Sequence, residues 1–481
     1  MTHVRPLFLA LDQGGHATRA LVFDSRGQLI AQSEKRIATH HPSPNRVEHD
    51  PQALVTSVRQ VCQNIARQLG SRVSYIRAAG LATQRSTIVC WDRQTGHALS
   101  PVISWQDRRA SHRLRALAPY AQRVHRITGL VLSPHYGASK LAWCFDKLLA
   151  VRHALRQHRL AAGPLASFIM TNLLMEQPLF ADPVNASRTL LWDYHRRNWS
   201  HELLALFRIP ENVLPSCVPN QHVFGHLSFG NRSIPLTIVT GDQSAAVFAG
   251  GRPRTGSLYV NLGTGAFIQQ LCGDRPAQVR GLLGSVLWQD QRRVVYVAEG
   301  TVNGASSALA WLCERARISE KQMLESMPAW LANPSEPPLF MNGISGLGSP
   351  YWIPDFRSGF VGRGTLEQQF IAVVESIVFL LCVNLECLRR TRRPTRRIVV
   401  SGGLSQWDGL CQKLADLSGL PVQRPLNHEA TARGLAHLLG ARPPTSSKVA
   451  FFKPNKNLPL ENRYTRWRVT LTQALPTGRR R

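Results

Sequence analysis

The stretch that decides the fold is LALDQGGHATRALVFD, which runs from Leu9 to Asp24. An apolar run ends at Asp12, a turn containing Gly14, Gly15 and His16 follows, and a second apolar run begins. Two short apolar runs joined by a glycine turn are typical of a β-hairpin. The sequence therefore predicts a hairpin with an acid beside a turn that is nearly free of side chains.

The same unit occurs again at the start of the second half. Residues 257–271 read SLYVNLGTGAFIQQL, a strand, a glycine turn at 263–265 and another strand, and RIVVSGG ends on a glycine pair at 402–403. Glycine turns let backbone N–H groups approach an anion without obstruction by side chains. Three such turns at strand ends, divided between the two halves, predict phosphates held in a cleft between two domains.

The length and composition predict a globular protein with two domains. The chain has 481 residues, of which 43% are apolar, and this exceeds the usual size of one hydrophobic core. Strands alternate with helical segments in both halves, which favours an α/β fold in each. We expect an N-terminal domain over residues 1–249, a C-terminal domain over 250–440, and a basic, weakly patterned tail over 441–481.

The formal net charge of +29 is the unusual feature of the composition, and arginine supplies most of it. The densest run is RRTRRPTRR, Arg389 to Arg397. Such a field attracts anions, nucleic acid included, but the sequence contains no zinc finger, basic zipper or aromatic RNP motif. We attribute the charge to an arginine-rich composition and to attraction for a phosphorylated ligand, and we leave binding of nucleic acid or a membrane surface open as the alternative.

Cysteine usage and hydropathy both indicate a reduced, cytoplasmic protein. The nine cysteines form no CxxC pair and lie mostly in apolar contexts, which is typical of buried free thiols. The apolar run at 371–388 is interrupted by Glu375, Asn384 and Glu386, so it predicts a buried helix and not a membrane span. The N-terminal PLFLAL is too short for a signal-peptide core.

Two acids at strand ends suggest phosphoryl transfer. The sequence contains no P-loop, dinucleotide-binding GxGxxG, GxSxG elbow or HExxH motif. Asp12 could bind a divalent cation carried by phosphates, and Asp242, which ends LTIVTGD, could accept a proton from a hydroxyl nucleophile. Taken alone, Asp242 is equally well explained as a helix cap.

A set of motifs spread over residues 7–440 resembles one family. These motifs are LDQGxxxxRA, TQRSTIVCWD, SWQDRRA, PVNASRTLLWD, TGDQSAAVFAG, NLGTGAF, GLGSPYWIPDFRSGFVG, SGGL and ATARGLAHLLG. The chain resembles the FGGY carbohydrate kinases, and within them the glycerol kinase branch. The resemblance implies two actin-like (ribonuclease-H-like) domains that close on ATP and a small polyol or sugar, in a homodimer or homotetramer.

The resemblance also implies roles for individual residues. Asp242 would be the catalytic base, Trp105 and Phe267 would pack on the carbon chain of the substrate, and Asp12 would bind Mg²⁺. The substrate-binding positions would be Arg85, Ser86, Trp105, His135, Asp242, Gln243 and Phe267. The nucleotide-binding positions would be Gly14, Gly15, His16, Thr18, Arg19, Gly263, Thr264, Gly402, Gly403 and Trp407. The PVNASRTLLWD segment, with Asn185 and Arg188, would be scaffold around the cleft.

The chain departs from the family pattern at four places. Gly15 and His16 replace hydroxyl-bearing residues, Ser86 replaces a glutamate, His135 replaces a tyrosine, and Trp407 replaces an asparagine. Loss of the glutamate removes an acceptor of substrate hydroxyl hydrogens, so we expect an altered choice of substrate. Glycerol, another polyol, a ketose and a larger alcohol all stay open, as do two alternatives: an inactive pseudokinase and a polyanion-binding protein.

Overall fold

The computed structural model describes residues 5–230, 232–276, 278–333, 336–425, 429–443 and 449–476. The strands of the first half are β1 (Leu7–Gln13), β2 (Ala17–Asp24), β3 (Leu29–Arg36), β4 (His40–Ser43), β5 (Arg46–His49), β6 (Ile76–Thr83), β7 (Ile88–Asp92), β8 (Val102–Ile103), β9 (Leu160–Pro164), β10 (Phe180–Ala181), β11 (Trp192–Asp193), β12 (Asn198–Trp199), β13 (Ser216–Cys217), β14 (Gln221–Phe229) and β15 (Arg232–Gly241). Its helices are α1 (Pro51–Leu69), α2 (Ser111–Ala116), α3 (Ala121–Thr128), α4 (Gly137–Lys147), α5 (Leu149–Arg156), α6 (Leu165–Leu173), α7 (Pro183–Ala186), α8 (His201–Phe207) and α9 (Asp242–Val247).

The opening hairpin is the centre of the first large sheet. β1 pairs antiparallel with β2, and Asp12 lies opposite Arg19. On its other side β1 pairs in parallel with β6, which pairs in parallel with β15, giving the order β14-β15-β6-β1-β2-β3. A smaller sheet of order β4-β5-β8-β7-β9 lies beside it. Because β1, β6 and β15 are parallel, their carboxyl ends meet at one edge of the large sheet.

The second half repeats this arrangement. Its strands are β16 (Ser257–Leu262), β17 (Ala266–Gly273), β18 (Leu283–Gln289), β19 (Val294–Val302), β20 (Leu339–Met341), β21 (Gly359–Val361), β22 (Arg397–Ser401), β23 (Val422–Pro425) and β24 (Val449–Phe452). Its helices are α10 (Ser306–Ala316), α11 (Glu320–Ala332), α12 (Leu366–Arg389), α13 (Asp408–Ser418), α14 (Ala430–Leu438) and α15 (Leu458–Ala474). The second large sheet has the order β18-β19-β17-β16-β22-β23-β24, with β16, β22 and β23 parallel.

Each half therefore has an antiparallel hairpin, and two further strands lie beside its first strand and run parallel to it. This confirms the predicted α/β class and the repeat of the opening unit. The glycine turn of each hairpin lies at the same end of its sheet as the carboxyl ends of the parallel strands, because β1 and β16 both end there.

Helix α12 is the buried core of the second half. It is long and apolar enough to cross a membrane by composition, yet 94% of its apolar window is buried inside the fold. The buried helix predicted for 371–388 is confirmed, and it extends to Leu366–Arg389. Its capping box pairs the side chain and backbone of Thr365 with those of Gln368, which fixes where the helix begins.

The weak patterning expected for residues 441–481 is wrong for the described part of that segment. β24 adds to the edge of the second sheet, and α15 buries Leu460, Trp467 and Leu471. The indole of Trp467 donates to the Phe340 carbonyl at 2.9 Å. Arginines and threonines dilute the apolar face of α15, which hides its period in the sequence. Residues 444–448 and 477–481, with the RRR end, lie outside the described residues.

Helix α14, from the second half, packs on the sheet of the first half. Leu435 and Ala436 join a buried cluster with Phe8 and Phe23. A Cβ atom on Gly434 would lie 1.8 Å from the Ala245 carbonyl oxygen, so only glycine permits this approach of α14 to α9. The two halves therefore share a packed apolar contact beneath the cleft.

Candidate active site

A cavity of about 690 Å³ lies between the two halves, at the edge where the parallel strands end. Asp12 and Thr240 both pair with Ala82, so register places the end of β1 beside the start of α9. The residues that line the cavity come from both halves and include Asp12, Arg19, Gln243, Tyr259, Asn261, Phe267, Gly402 and Gly403. The predicted interdomain cleft is present, and six of these residues were predicted site positions.

Asp12 is buried at the end of β1 with only 6% of its surface exposed. Its Oδ1 atom has no hydrogen-bond partner among the residues that the structure describes. Burial and the nearby Asp242 carboxylate raise the pKa of Asp12 to about 7, although Arg19 opposes this. A buried carboxylate oxygen without a partner suits a hard cation. The described residues hold no cluster of three or more His, Cys, Asp or Glu ligands, but Mg²⁺ typically needs only one or two carboxylates besides phosphates and water.

Asp242 is the first residue of α9 and follows directly from β15. Its Oδ1 accepts the Gln243 backbone N–H at 2.7 Å, and burial raises its pKa although Arg85 opposes the shift. A Cβ atom on Gly241 would lie 2.5 Å from Cγ of Arg85, so the glycine before Asp242 lets the arginine pass close to the strand end. The sequence thus folds into an arrangement that places a basic carboxylate next to a guanidinium.

Ser86, Trp105 and His135, which were predicted to bind the substrate, come together on one side of this arrangement. The Nδ1 atom of His135 lies 3.1 Å from the Trp105 carbonyl, and the two rings are 6.3 Å apart. Burial lowers the pKa of His135 to about 4, so the imidazole is neutral at physiological pH. These three residues and Arg85 are not among those that line the 690 Å³ cavity, whereas Gln243 and Phe267 are.

Glu299 is a site residue that the sequence analysis missed. It lies on β19 with no exposed surface, and it accepts hydrogen bonds from Arg85 at 3.3 Å, Arg188 at 2.6 Å and Gln269 at 2.7 Å. Although burial alone would raise it, the two guanidinium groups hold the pKa of Glu299 at about 2. Arg85 also donates to Gln243. The cluster joins both halves of the chain directly behind Asp242, and an acid in the apolar strand VVYVAEGTV was its only signal in the sequence.

Comparison with known proteins decides the family. The model of the N-terminal domain of the FGGY family of carbohydrate kinases matches residues 7–249, and that of the C-terminal domain matches residues 258–442. The chain belongs to the FGGY family of carbohydrate kinases. It is therefore an ATP-dependent carbohydrate or polyol kinase, as the motifs predicted.

Curated relatives and solved structures agree with this membership of the FGGY family. Glycerol kinase of Aquifex aeolicus is 32% identical over 90% of this chain and 89% of the relative, and glycerol kinase of Trichlorobacter lovleyi is 36% identical with the same coverage. A crystal structure of Plasmodium falciparum glycerol kinase with ADP has a TM-score of 0.85 at 21% identity, covering 98% of this chain and 99% of that chain. A kinase from Brucella ovis, described as a xyloylose kinase, has a TM-score of 0.84 at 22% identity, with coverage of 96% and 98%. These structures establish the two-domain actin-like fold.

Three of the positions predicted to bind the nucleotide, Thr18, Gly14 and Trp407, make other contacts in the structure of this FGGY kinase. Thr18 hydrogen-bonds to Ser57 of α1 at 2.7 Å, because adjacent residues of a strand point to opposite faces and its neighbour Arg19 faces the cavity. The Gly14 amide donates to the Ala17 carbonyl within its own hairpin, so it is not free for an anion. Trp407 packs into the core of the second half and does not line the cavity.

The second glycine pair of the kinase follows the end of β22. Gly402 has a φ of 91°, and a Cβ atom there would lie 2.5 Å from the Leu262 carbonyl oxygen, so the position requires glycine. Gly402 and Gly403 line the cavity with little side-chain bulk. The Gly263 amide closes its own turn on Gly265, and the Thr264 carbonyl accepts the Ala305 amide at 3.0 Å.

Replacing Asp12 by asparagine is expected to stabilise the metal-free kinase. In wild type the carboxyl has a pKa of about 7 in the fold against 3.8 for the unperturbed group, so stability falls as pH rises from about 4 to 7 and then levels off. The asparagine side chain does not ionise, so the variant does not lose this stability as the pH rises. We expect the unfolding free energy at pH 8 to rise by on the order of 3 kcal/mol, with a smaller gain at pH 5, measured by urea denaturation with EDTA present.

The matched control is Asp24→Asn. Asp24 is also 6% exposed, but its Oδ1 accepts the amides of Arg26 and Gln28 at 2.8 and 2.9 Å. There we expect a loss of stability, because an amide replaces a satisfied carboxylate. Equal losses for both variants would show that Asp12 is an ordinary structural carboxylate.

Proposed function

We propose that this kinase transfers the γ-phosphoryl group of ATP to a hydroxyl of a small polyol, with Asp242 as general base. The observation that carries the proposal is the pair of acids, Asp12 and Asp242, at one sheet edge between the halves, each with a raised pKa. A raised pKa makes Asp242 a stronger base for a hydroxyl proton. Asp12 would hold Mg²⁺, which neutralises phosphate charge when it is bound.

In the proposed reaction the acceptor hydroxyl hydrogen-bonds to Asp242. Its oxygen forms a bond to the γ-phosphorus, the bond between the γ-phosphorus and the bridging oxygen of ADP breaks, and the hydroxyl proton passes to the Asp242 carboxylate. Gln243 and Arg85 would hold neighbouring hydroxyls. Arg19, which lines the cavity at the start of the hairpin's second strand, would approach the phosphates.

Ser86 bears on which acceptor substrates we propose. The relatives are named glycerol kinases, which makes glycerol the first acceptor to test. Ser86 is shorter than the family's glutamate and has no carboxylate, so the pocket has fewer acceptors for hydroxyl hydrogens. We therefore include polyols and ketoses of four to six carbons among the proposed acceptors.

A coupled assay of ADP formation across such a panel, with Mg²⁺ and ATP, tests the proposal. We expect acceptor-dependent ADP formation with at least one small polyol or ketose, and loss of that activity in EDTA. Tight binding of ATP by calorimetry without turnover of any acceptor would instead identify a pseudokinase, for which the comparisons give no support.

His16 offers a test of the altered hairpin. It is exposed at the tip of the hairpin whose Asp12 and Arg19 line the cavity, and its carbonyl accepts the Ile37 amide at 3.0 Å. As the charged imidazolium it would replace a hydroxyl contact to phosphate by a charge-assisted one. We expect His16→Thr to weaken ATP binding by about threefold to tenfold, measured by calorimetry beside His153→Gln, an exposed histidine on α5. Tenfold tighter binding would contradict this role.

The predictions of polyanion binding, oligomeric state and cytoplasmic location stay predictions. The arginine run at 389–397 is partly used by the fold, since Arg389 donates to the Ser418 carbonyl at 2.7 Å and Arg397 to the Ser257 hydroxyl at 2.9 Å. Filter binding to single-stranded DNA tests the first of these predictions. Affinity that disappears by about 0.2 M salt would indicate only non-specific attraction.

A further inference from the structure

Lys140 on α4 is a buried charged residue to which the proposed reaction gives no role. Its side chain has no exposed surface. Burial lowers the pKa of Lys140 to about 7, with Arg109 adding to the shift and Asp107 opposing it. Asp107 is itself paired with Arg109 at 2.6 Å. Burying an ammonium group costs desolvation free energy unless hydrogen-bond partners compensate. The partners of Lys140 therefore indicate its role.

The three partners of Lys140 are main-chain carbonyls from three separate segments. Its Nζ atom donates to the carbonyl oxygens of Ser86 at 2.8 Å, Ser104 at 2.9 Å and His135 at 2.9 Å. An ammonium group has three donors, and all three are used. Ser86 follows β6, Ser104 follows β8, and His135 precedes α4. The first two segments also meet where Ile88 pairs with Ile103 and where the Trp105 amide donates to the Thr87 hydroxyl at 3.1 Å, and the lysine adds the third segment to them.

Each of these loops carries a proposed substrate contact. Arg85 and Ser86 are on the first, Trp105 immediately follows Ser104 on the second, and His135 is on the third. The His135 ring is in turn held to the Trp105 carbonyl. The Lys140 ammonium group therefore contacts all three loops that carry proposed substrate contacts.

The backbone of Ser86 gives a reason for such a clamp. Ser86 has a φ of 65°, a left-handed conformation that costs a residue other than glycine free energy and persists only where its surroundings hold it. The carbonyl of Ser86 is one of the three that Lys140 holds. The Lys140 ammonium group therefore holds the carbonyl of a residue whose backbone is strained.

We propose that Lys140 is a positioning residue that sets the geometry of the polyol pocket by holding the carbonyls of Ser86, Ser104 and His135. Lys140 is fully buried and does not line the cavity. Its loss would therefore act on acceptor binding and leave nucleotide binding intact. The inference rests on the proposed function, because the pocket it sets is the proposed acceptor site.

The test is Lys140→Met, which keeps the length and removes the three donors, in the full-length kinase. We expect the KM for the best acceptor to rise at least tenfold while the dissociation constant for ATP, measured by calorimetry, changes less than twofold. Lys140→Gln, which keeps two donors, should give an intermediate KM, and it serves as the test if the methionine variant does not fold.

Lys413→Met is the matched control, because Lys413 is also mostly buried but pairs with Glu375 at 3.0 Å in the second half, away from the acceptor loops. It should lose stability and keep the acceptor KM. An unchanged KM in Lys140→Met, or equal rises in both variants, would overturn the proposal. No acceptor-dependent turnover in wild type would mean that the proposed function has failed. Turnover in wild type with an unchanged KM in Lys140→Met would mean that only the role of Lys140 has failed.

Discussion

Asp242→Asn is expected to lower kcat by about 10²–10⁴, the range that a general base contributes. Asparagine keeps the shape of the side chain and an oxygen that can accept the Gln243 amide, but it no longer takes up a proton. Binding of ATP and acceptor should change little, because the cavity keeps its shape. Steady-state kinetics with the best acceptor, together with calorimetry of ATP binding, measure the two effects separately.

The control for this variant is Ser244→Ala on the same helix. The Ser244 hydroxyl is buried with no hydrogen-bond partner in the described part of the chain, so its removal should leave kcat within about twofold of wild type. A kcat for Asp242→Asn within tenfold of wild type would exclude Asp242 as the base. The Asp242 carboxylate would then be explained by the hydrogen bond that it accepts from the Gln243 amide.

Glu299→Gln is expected to cost about 3–5 kcal/mol of unfolding free energy. The glutamate is the common hydrogen-bonded partner of Arg85 and Arg188, both nearly fully buried, and its removal leaves only the Asp242 carboxylate near the two guanidinium groups. The acceptor KM should also rise, because Arg85 loses the partner that holds it beside Gln243. Urea denaturation followed by circular dichroism measures the first effect, and initial rates measure the second.

A control and a double variant sharpen this test. Glu386 pairs with Arg468 at 2.6 Å, but its side chain is 41% exposed, so Glu386→Gln should cost less than about 1 kcal/mol. The double variant Arg188→Met with Glu299→Gln should recover part of the loss, because one unpaired cation is gone. A loss for Glu299→Gln no larger than that for Glu386→Gln would show that the cluster does not hold the halves together.

Local pattern explains what the sequence predicted correctly. The hairpin at Leu9–Asp24 and its repeat were visible because each strand is a short apolar run and each turn is glycine. The buried helix α12 was visible because its apolar run has few charges. The acid at the end of β1 was predicted to belong to the site because it stands at a strand end beside a glycine turn.

What the sequence did not predict depends on contacts distant along the chain. Arg85 and Glu299 are 214 residues apart, and Arg188 and Glu299 are 111 apart, so no local pattern joins them. Thr18 was assigned to the nucleotide by motif position, although the alternation of the strand, with Arg19 facing the cavity, would have turned it toward α1. Lys140 ends the segment PHYGASK, residues 134–140, but its contacts appear only when three loops meet in the fold.

The most direct test of the account follows the γ-phosphoryl group itself. ATP carrying ¹⁸O in its γ-phosphoryl group is incubated with the kinase, Mg²⁺ and the best acceptor, and the products are separated by mass spectrometry. The account predicts a phosphorylated polyol that retains the three labelled oxygens, formed by wild type and not detectably by Asp242→Asn. Label found only in inorganic phosphate, whether or not the acceptor is present, would contradict transfer to a polyol.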